Sequence, residues 1–283
     1  MESILDAHVH VYDAEALRLQ WVRDVPSLGG VWSPASYESE ASPLGIESAL
    51  YMEVDAPADA QQLELSTIAD EMDRPGGMFA AAMVGGDPAD PAFGDWLDRL
   101  EADTRMVGVR RVLHVDESPQ GTCLEPAFVA GVQALGKRGL VFDACVRHGE
   151  IDDVVKLARL CPETTIVLDH LGNPPVPQGM DSNWCASIDR CAETPNLIGK
   201  LSGLIQHLDD DDWDLETFAP FMSHLLEAFG ADRVVWASNW PVCNLHGSLE
   251  RWVSVTRRFL ADYSASERSA VLRANGERVY RIS

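Results

Sequence analysis

Lysine is nearly absent from this chain. Its 283 residues contain three, Lys137, Lys156 and Lys200, and arginine supplies the rest of 22 basic side chains set against 45 acidic ones. The resulting formal charge of −23 repels polyanions, so nucleic acid and anionic membrane surfaces are not expected partners. High acidity with scarce lysine fits a salt-adapted organism or a high-GC genome, and salt adaptation would make molar salt stabilising. No run of about 18 apolar residues occurs, so no membrane span is expected. The start, MESILDAHVHV, has neither a basic stretch nor a long apolar one, and no signal peptide is expected. The six cysteines, Cys123, Cys145, Cys161, Cys185, Cys191 and Cys243, contain no CxxC pair and sit mostly in apolar contexts, as reduced thiols of a cytoplasmic protein do. No GxGxxG turn follows the first apolar run, which argues against a dinucleotide-binding open sheet.

What is present is a repeat. Apolar residues make up 46% of the chain, enough for a sizeable core. Eight short apolar runs recur: Ser3–His10, Ser48–Val54, Met78–Val84, Val107–Leu113, Leu140–Val146, Thr165–His170, Leu197–Gly203 and Arg233–Ser238. Continuous runs of Val, Ile, Leu and Ala indicate strands covered on both faces, as in parallel sheets. Helical patterns separate them at Ala58–Met72, Pro126–Lys137, Asp152–Leu160, Glu216–Phe229 and Leu249–Tyr263. Eight strand–helix units in about 250 residues predict a closed (β/α)8 barrel, a TIM barrel, as one domain over residues 1–283. Two regions depart from the repeat. Residues 13–45 read as an insertion after the first strand, carrying Trp21 and Trp32, and either cap a pocket or pack as a surface loop. A closing helix over about 266–283 ends in the extended stretch ANGERVYRIS. The acidic run Asp209–Asp212 reads as a turn before a helix capped by Asp212 or Asp214, with a calcium site as a subordinate reading.

Several strands end in a polar residue, and in a barrel these ends share one rim. His8 and His10, in DAHVHVYD, lie at i and i+2 and so on one face. Neutral imidazoles suit a metal or an anionic substrate. Glu53 needs a partner if buried, either as a metal ligand beside the two histidines or in an ion pair with an arginine. Of Arg110 and Arg111, alternation turns one inward, where a forked guanidinium can bind a carboxylate or polarise a carbonyl. Asp143 and Arg147 contact substrate or belong to a structural ion network, and Trp240 joins them as a candidate substrate contact. His114 is a loop residue or a site residue. His170 closes an apolar strand before LGNP, and Asp169 alternates to the other side as a structural residue. Lys200 sits among apolar neighbours and, as a buried lysine, has a partner or a task. Asn239 ends RVVWASNWP; an asparagine donates or accepts hydrogen bonds but takes no proton from water.

Taken together, DAHVHVYD, GVRRVLH, LVFDACVR, TIVLDHLGNP, NLIGKLSGL, VVWASNWPV and NGERVYRI resemble the amidohydrolase superfamily. Within it they resemble the lactone-hydrolase branch known as amidohydrolase family 2. The resemblance implies a barrel that opens sugar-acid or related carboxylated lactones, with metal contact at His8 and His10. It also implies catalytic positions at Asn239, His170 and Lys200, and substrate polarisation at Arg110 and Lys200. A divalent ion, zinc or manganese, is the implied cofactor, with metal-independent hydrolysis left open. The partner would be a small lactone or sugar acid, and a homodimer is compatible. The family motif at the eighth strand is SDWP; here it is SNWP. Three readings of that departure stand open. Another base substitutes, such as a metal-bound hydroxide or Asp143; the chain is a binder without catalysis; or the residue was exchanged to trap a complex. A decarboxylase of the same superfamily is a further alternative.

Overall fold

The eight apolar runs become eight parallel strands, each within two residues of its expected ends. They are β1 (Ile4–Val9), β2 (Ile46–Met52), β3 (Phe79–Gly85), β4 (Met106–Val112), β5 (Val141–Cys145), β6 (Ile166–Leu168), β7 (Leu197–Leu201) and β8 (Val234–Trp236). The structure, a computed structural model, describes residues 2–208 and 210–282. The strands pair in chain order. The ring closes where Asn239 N donates to His8 O at 3.0 Å and His10 N to Trp240 O at 2.8 Å. Helices follow the strands: α1 (Pro34–Ala41), α2 (Gln61–Met72), α3 (Phe93–Leu100), α4 (Pro126–Lys137), α5 (Ile151–Leu160), α6 (Ser182–Ala192), α7 (Leu215–Phe229) and α8 (Leu249–Phe259). This is a (β/α)8 barrel.

Each strand is covered on both sides, which explains its apolar run. Val141, Val167, Ile198 and Val235 fill the barrel interior. Their neighbours Phe142, Leu168, Leu197 and Trp236 face the helices. Asp143, Asp169 and Lys200 lie two residues beyond an interior residue and so continue the inward row. Among the described residues no helix is long and apolar enough to cross a membrane, and all six cysteines are free thiols.

Three sequence expectations are corrected. The 13–45 segment is not wholly an insertion, because it contains α1, the first barrel helix, started by Ser33 in a reciprocal cap with Ser36 and by Pro34. The remainder pairs Tyr12–Asp13 antiparallel with Val31–Trp32. The end of the chain is helical over Asn275–Tyr280 rather than extended. Packing decides this: Asn275 Nδ2 bonds Ala231 O and Val234 O, each at 2.7 Å, and Val279 and Tyr280 are buried. Helices α3 and α6 lie outside the expected helical patterns; α3 spans only eight residues yet buries Phe93, Leu97 and Leu100 along one face. Asp214 caps α7 through Thr217 N, while Asp209 of the acidic run lies outside the described residues.

One buried carboxyl ties α2 to the barrel rim. Glu64 Oε1 accepts from Tyr51 Oη at 2.8 Å and from Val54 N at 2.9 Å. Burial, reinforced by the charge of Glu53, pushes its pKa up to about 7. The native state therefore favours the protonated form, and the stability this contributes is present below about pH 4 and lost as pH rises through 7. Glu64→Gln keeps the acceptor and removes the titration. Its stability relative to wild type, measured by urea unfolding, is expected to rise by on the order of 2–3 kcal/mol between pH 4 and pH 8.

Candidate active site

The inward-facing polar residues meet in one layer at the carboxyl ends of the strands. Lys200, fully buried, bonds Asp143 Oδ2 and lies 2.8 Å from Asp169 Oδ1 and 3.4 Å from His8 Nδ1. From the terminal helix, Tyr280 Oη donates to Asp143 at 3.0 Å. Arg110 Nη1 bonds Glu53 Oε1 at 2.7 Å and Arg110 Nε bonds Asp169 Oδ2 at 3.0 Å. Two buried cations are thus shared among three carboxylates. Burial raises the pKa of Asp169, but Lys200, His8 and His170 together outweigh it and hold the group well below the usual carboxylate range. For Asp143 burial prevails and its pKa rises to about 7.

The imidazoles form the next layer. His8 Nε2 and His10 Nε2 lie 3.1 Å apart. His10 Nδ1 is 3.0 Å from Met52 O, a contact that needs a proton on Nδ1 and leaves Nε2 as the lone-pair nitrogen. His170 packs beside His8 with ring centroids 4.6 Å apart, and its Nδ1 is 2.7 Å from Ser202 Oγ. Burial keeps all three neutral: it lowers the pKa of His10 to about 3 and those of His8 and His170 well below the ordinary imidazole value. His8, Asp169 and His170 offer ligand atoms within 4.8 Å of one another. Two neutral imidazoles and a carboxylate are donors that fit one divalent cation.

Above these layers opens a cavity of about 830 Å³, lined among others by His10, Trp21, Arg110, Arg147, His170 and Asn239. Trp21 and Leu28 come from the 13–45 segment, so part of that segment walls the cavity. Gly203 allows the close packing of His170: at φ +70 it has no side chain, and a Cβ there would lie 2.5 Å from His170 Cγ.

Several residues take roles other than those expected. Glu53 is not one of the clustered donors; Arg110 holds its Oε1 and Asp55 N its Oε2 at 2.6 Å. Asp143 is clamped beneath Lys200 and Tyr280, away from the cavity wall, so it is not placed to touch substrate. Trp240 is fully buried against Trp32 and Tyr37, not in the cavity. Arg147 lines the cavity, but its guanidinium pins the loop after β4 through Leu113 O, Val115 O and Ser118 O. Arg110 points inward, while Arg111 faces Asp87 at 3.9 Å. Asp169, expected on the outer side, is central. Strand β6 ends at Leu168, and Asp169 continues the inward row from Val167. The left-handed backbone of His170 (φ 53) and Leu171 (φ 52) then turns His170 into the same mouth. Asn239, also left-handed at φ 59, donates from Nδ2 to Gln206 Oε1 at 2.9 Å, and its buried Oδ1 has no hydrogen-bond partner among the described residues.

Comparison with known proteins agrees with this geometry. The amidohydrolase family profile matches residues 5–282. An L-fucono-1,5-lactonase of Burkholderia ambifaria is 27% identical over 258 residues, covering 86% of this chain and 82% of that protein. A crystal structure of an amidohydrolase from Burkholderia multivorans with bound zinc superposes with a TM-score of 0.87 at 24% identity, covering 99% of this chain and 100% of that one. The 5-carboxyvanillate decarboxylase of Sphingomonas paucimobilis shares the fold with a TM-score of 0.70 at 16% identity, over 100% of both chains. With the family profile spanning nearly its whole length and its polar residues gathered at the carboxyl mouth of the barrel, the chain belongs to the amidohydrolase family.

Proposed function

We propose that this protein hydrolyses a lactone, a sugar-acid lactone or a related carboxylated one, at the barrel mouth. The observation that carries this reading is the cavity itself: one buried guanidinium, Arg110, reaches a pocket walled by neutral imidazoles and Trp21. A lactone is an activated ester. Forked donors on its carbonyl oxygen stabilise the negative charge that develops as the carbon is attacked. Relatives named as lactonases support the choice of ester over other acyl substrates. Asn239 can orient water through its unpaired Oδ1 but cannot take its proton. With no ion bound, the neutral imidazole of His170, held by Ser202, is the proton acceptor at the cavity wall; with an ion bound, the same nitrogen would be a ligand instead. A divalent ion, zinc or manganese, would be held by His8, Asp169 and His170 and would supply Lewis-acid polarisation of the carbonyl. The six free thiols fit action in the cytoplasm on a small molecule.

The test is a pH-indicator screen against a panel of sugar and aromatic-derived lactones, with metal analysis of the same sample. Acid release on at least one lactone is expected. Saturable binding without acid release would leave only a binder, and carbon dioxide from hydroxybenzoates would replace the reading with decarboxylation. Trp21 walls the cavity and is anchored by its Nε1 on Val54 O at 2.8 Å. Trp21→Ala is expected to raise KM about tenfold with kcat within about threefold, since lost contact area weakens ground and transition states alike. A kcat that falls while KM holds would place Trp21 in the chemistry instead.

A further inference from the structure

One pair of side chains in the cavity has no part in the chemistry above. Cys145 ends β5, two residues past Asp143 in the inward row. His114 follows β4, the neighbouring strand, with Val112 in register with Cys145. Cys145 Sγ lies 3.3 Å from His114 Nδ1, and both line the same cavity as Arg110, His170 and Asn239. The amide of Asn173, fixed on Val146 O at 2.8 Å, turns toward the sulfur at 3.9 Å.

The other cysteines differ. Burial pushes the thiols of Cys123, Cys161, Cys191 and Cys243 up, and the thiol of half-buried Cys185 is also raised. At Cys145 burial acts the same way, but the His114 imidazole and the Arg110 guanidinium outweigh it and bring the thiol below its ordinary value. His114 is correspondingly raised, chiefly by Cys145. A cysteine paired with an imidazole inside a cavity is the arrangement of an activated nucleophile.

We propose that Cys145 and His114 form a nucleophile–acid/base pair that opens the lactone through a thioester. The inference rests on the lactone reading for its electrophile and answers the absence of a base at position 239. Cys145 sulfur, as thiolate, bonds to the carbonyl carbon while the ring C–O bond breaks. The departing ring oxygen takes the proton held by His114 and becomes a hydroxyl. Water then adds to the thioester and gives a proton to His114, the C–S bond breaks, and the sulfur leaves as thiolate with the carboxylic acid formed. Lactone and water are consumed, hydroxy acid is made, and the pair returns to its starting state.

Two measurements test this. In the first, wild type, Cys145→Ser and His114→Gln are compared on a lactone that wild type opens, with circular dichroism melting to establish folding. Cys145→Ser is expected to lose at least about 100-fold in kcat with little change in KM. Acid-quenched His114→Gln is expected to carry one lactone mass on the Cys145 peptide. Wild-type-like kcat in Cys145→Ser with no adduct in any variant would overturn the proposal and leave the lactone reading standing. In the second, iodoacetamide labelling is read cysteine by cysteine. Cys145 is expected to react before Cys185, and at least about tenfold more slowly in His114→Gln. Reaction of Cys145 no faster than Cys185 would overturn the pair. If no lactone is opened at all, the proposed function falls and the labelling alone decides whether the pair is an activated thiol.

Discussion

Lys200→Met is expected to lower folding stability by about 3–5 kcal/mol at pH 8 and to abolish activity, because it strands two buried carboxylates at once. Lys200 has no exposed surface and neither do Asp143 or Asp169. Its ammonium therefore balances charge that water cannot reach. Methionine matches the length of the lysine stem, so packing is nearly retained and the loss is electrostatic. After the substitution Asp169 keeps Arg110 and Asp143 keeps Tyr280, and neither contact replaces a full positive charge. The pH dependence has a definite sign. Losing the cation raises the folded-state pKa of both carboxyls, so the variant favours their protonated forms more than wild type does. Its deficit should shrink as pH falls from 8 toward 5. Adding Asp143→Asn should recover part of the loss. Urea unfolding of the three proteins at both pH values makes the comparison. A Lys200→Met midpoint equal to wild type at pH 8 would mean that the cluster is not a balanced charge system.

Asn239→Asp is expected to raise kcat for lactone opening by about 10²-fold, at the lower end of what a positioned general base contributes. The side chain lines the cavity, and its buried Oδ1 has no partner among the described residues, so a carboxylate oxygen there could take a proton from water. Gln206 can turn its amide to donate to the new carboxylate. The gain should follow an ionisation: burial works against the charged form, so kcat should climb with pH as the introduced carboxyl loses its proton. Steady-state rates from pH 5 to pH 9 with a buffered indicator assay provide the measurement. An unchanged kcat across that range would remove position 239 from the proton path. The result bears on the thiol as well, because water activated at position 239 needs no thioester.

Much of the site is legible along the chain. His8, His10, Arg110, His170 and Asn239 each stand at or near the end of an apolar run, and the barrel brings the ends of such runs to one mouth. Lys200 stands out because a lysine among apolar residues requires a buried partner. Asp169 is misplaced by the sequence because alternation, carried through His170, assumes a strand that in fact stops at Leu168, where a left-handed turn follows. Periodicity carries no sign of that change in backbone. Asp143 gains its apparent link to substrate from standing near the end of its strand, and Trp240 from following Asn239. Position along the chain does not tell whether a side chain faces the cavity, the core or the layer below. Cys145 carries no signal at all, since a cysteine after Asp-Ala in a strand reads as one more small apolar residue.

By itself the sequence determined the strand–helix rhythm, the burial of both faces of each strand, and which polar residues stand at strand ends. These follow from local periodicity and the cost of exposing apolar side chains. Only the tertiary structure decided which of those residues touch. Lys200 meets Asp143 and Asp169, Arg110 holds Glu53, and Cys145 lies against His114, in each case across a gap of 31 to 57 residues. Such contacts depend on the register between neighbouring strands and on left-handed turns at their ends, and both are set when the ring closes.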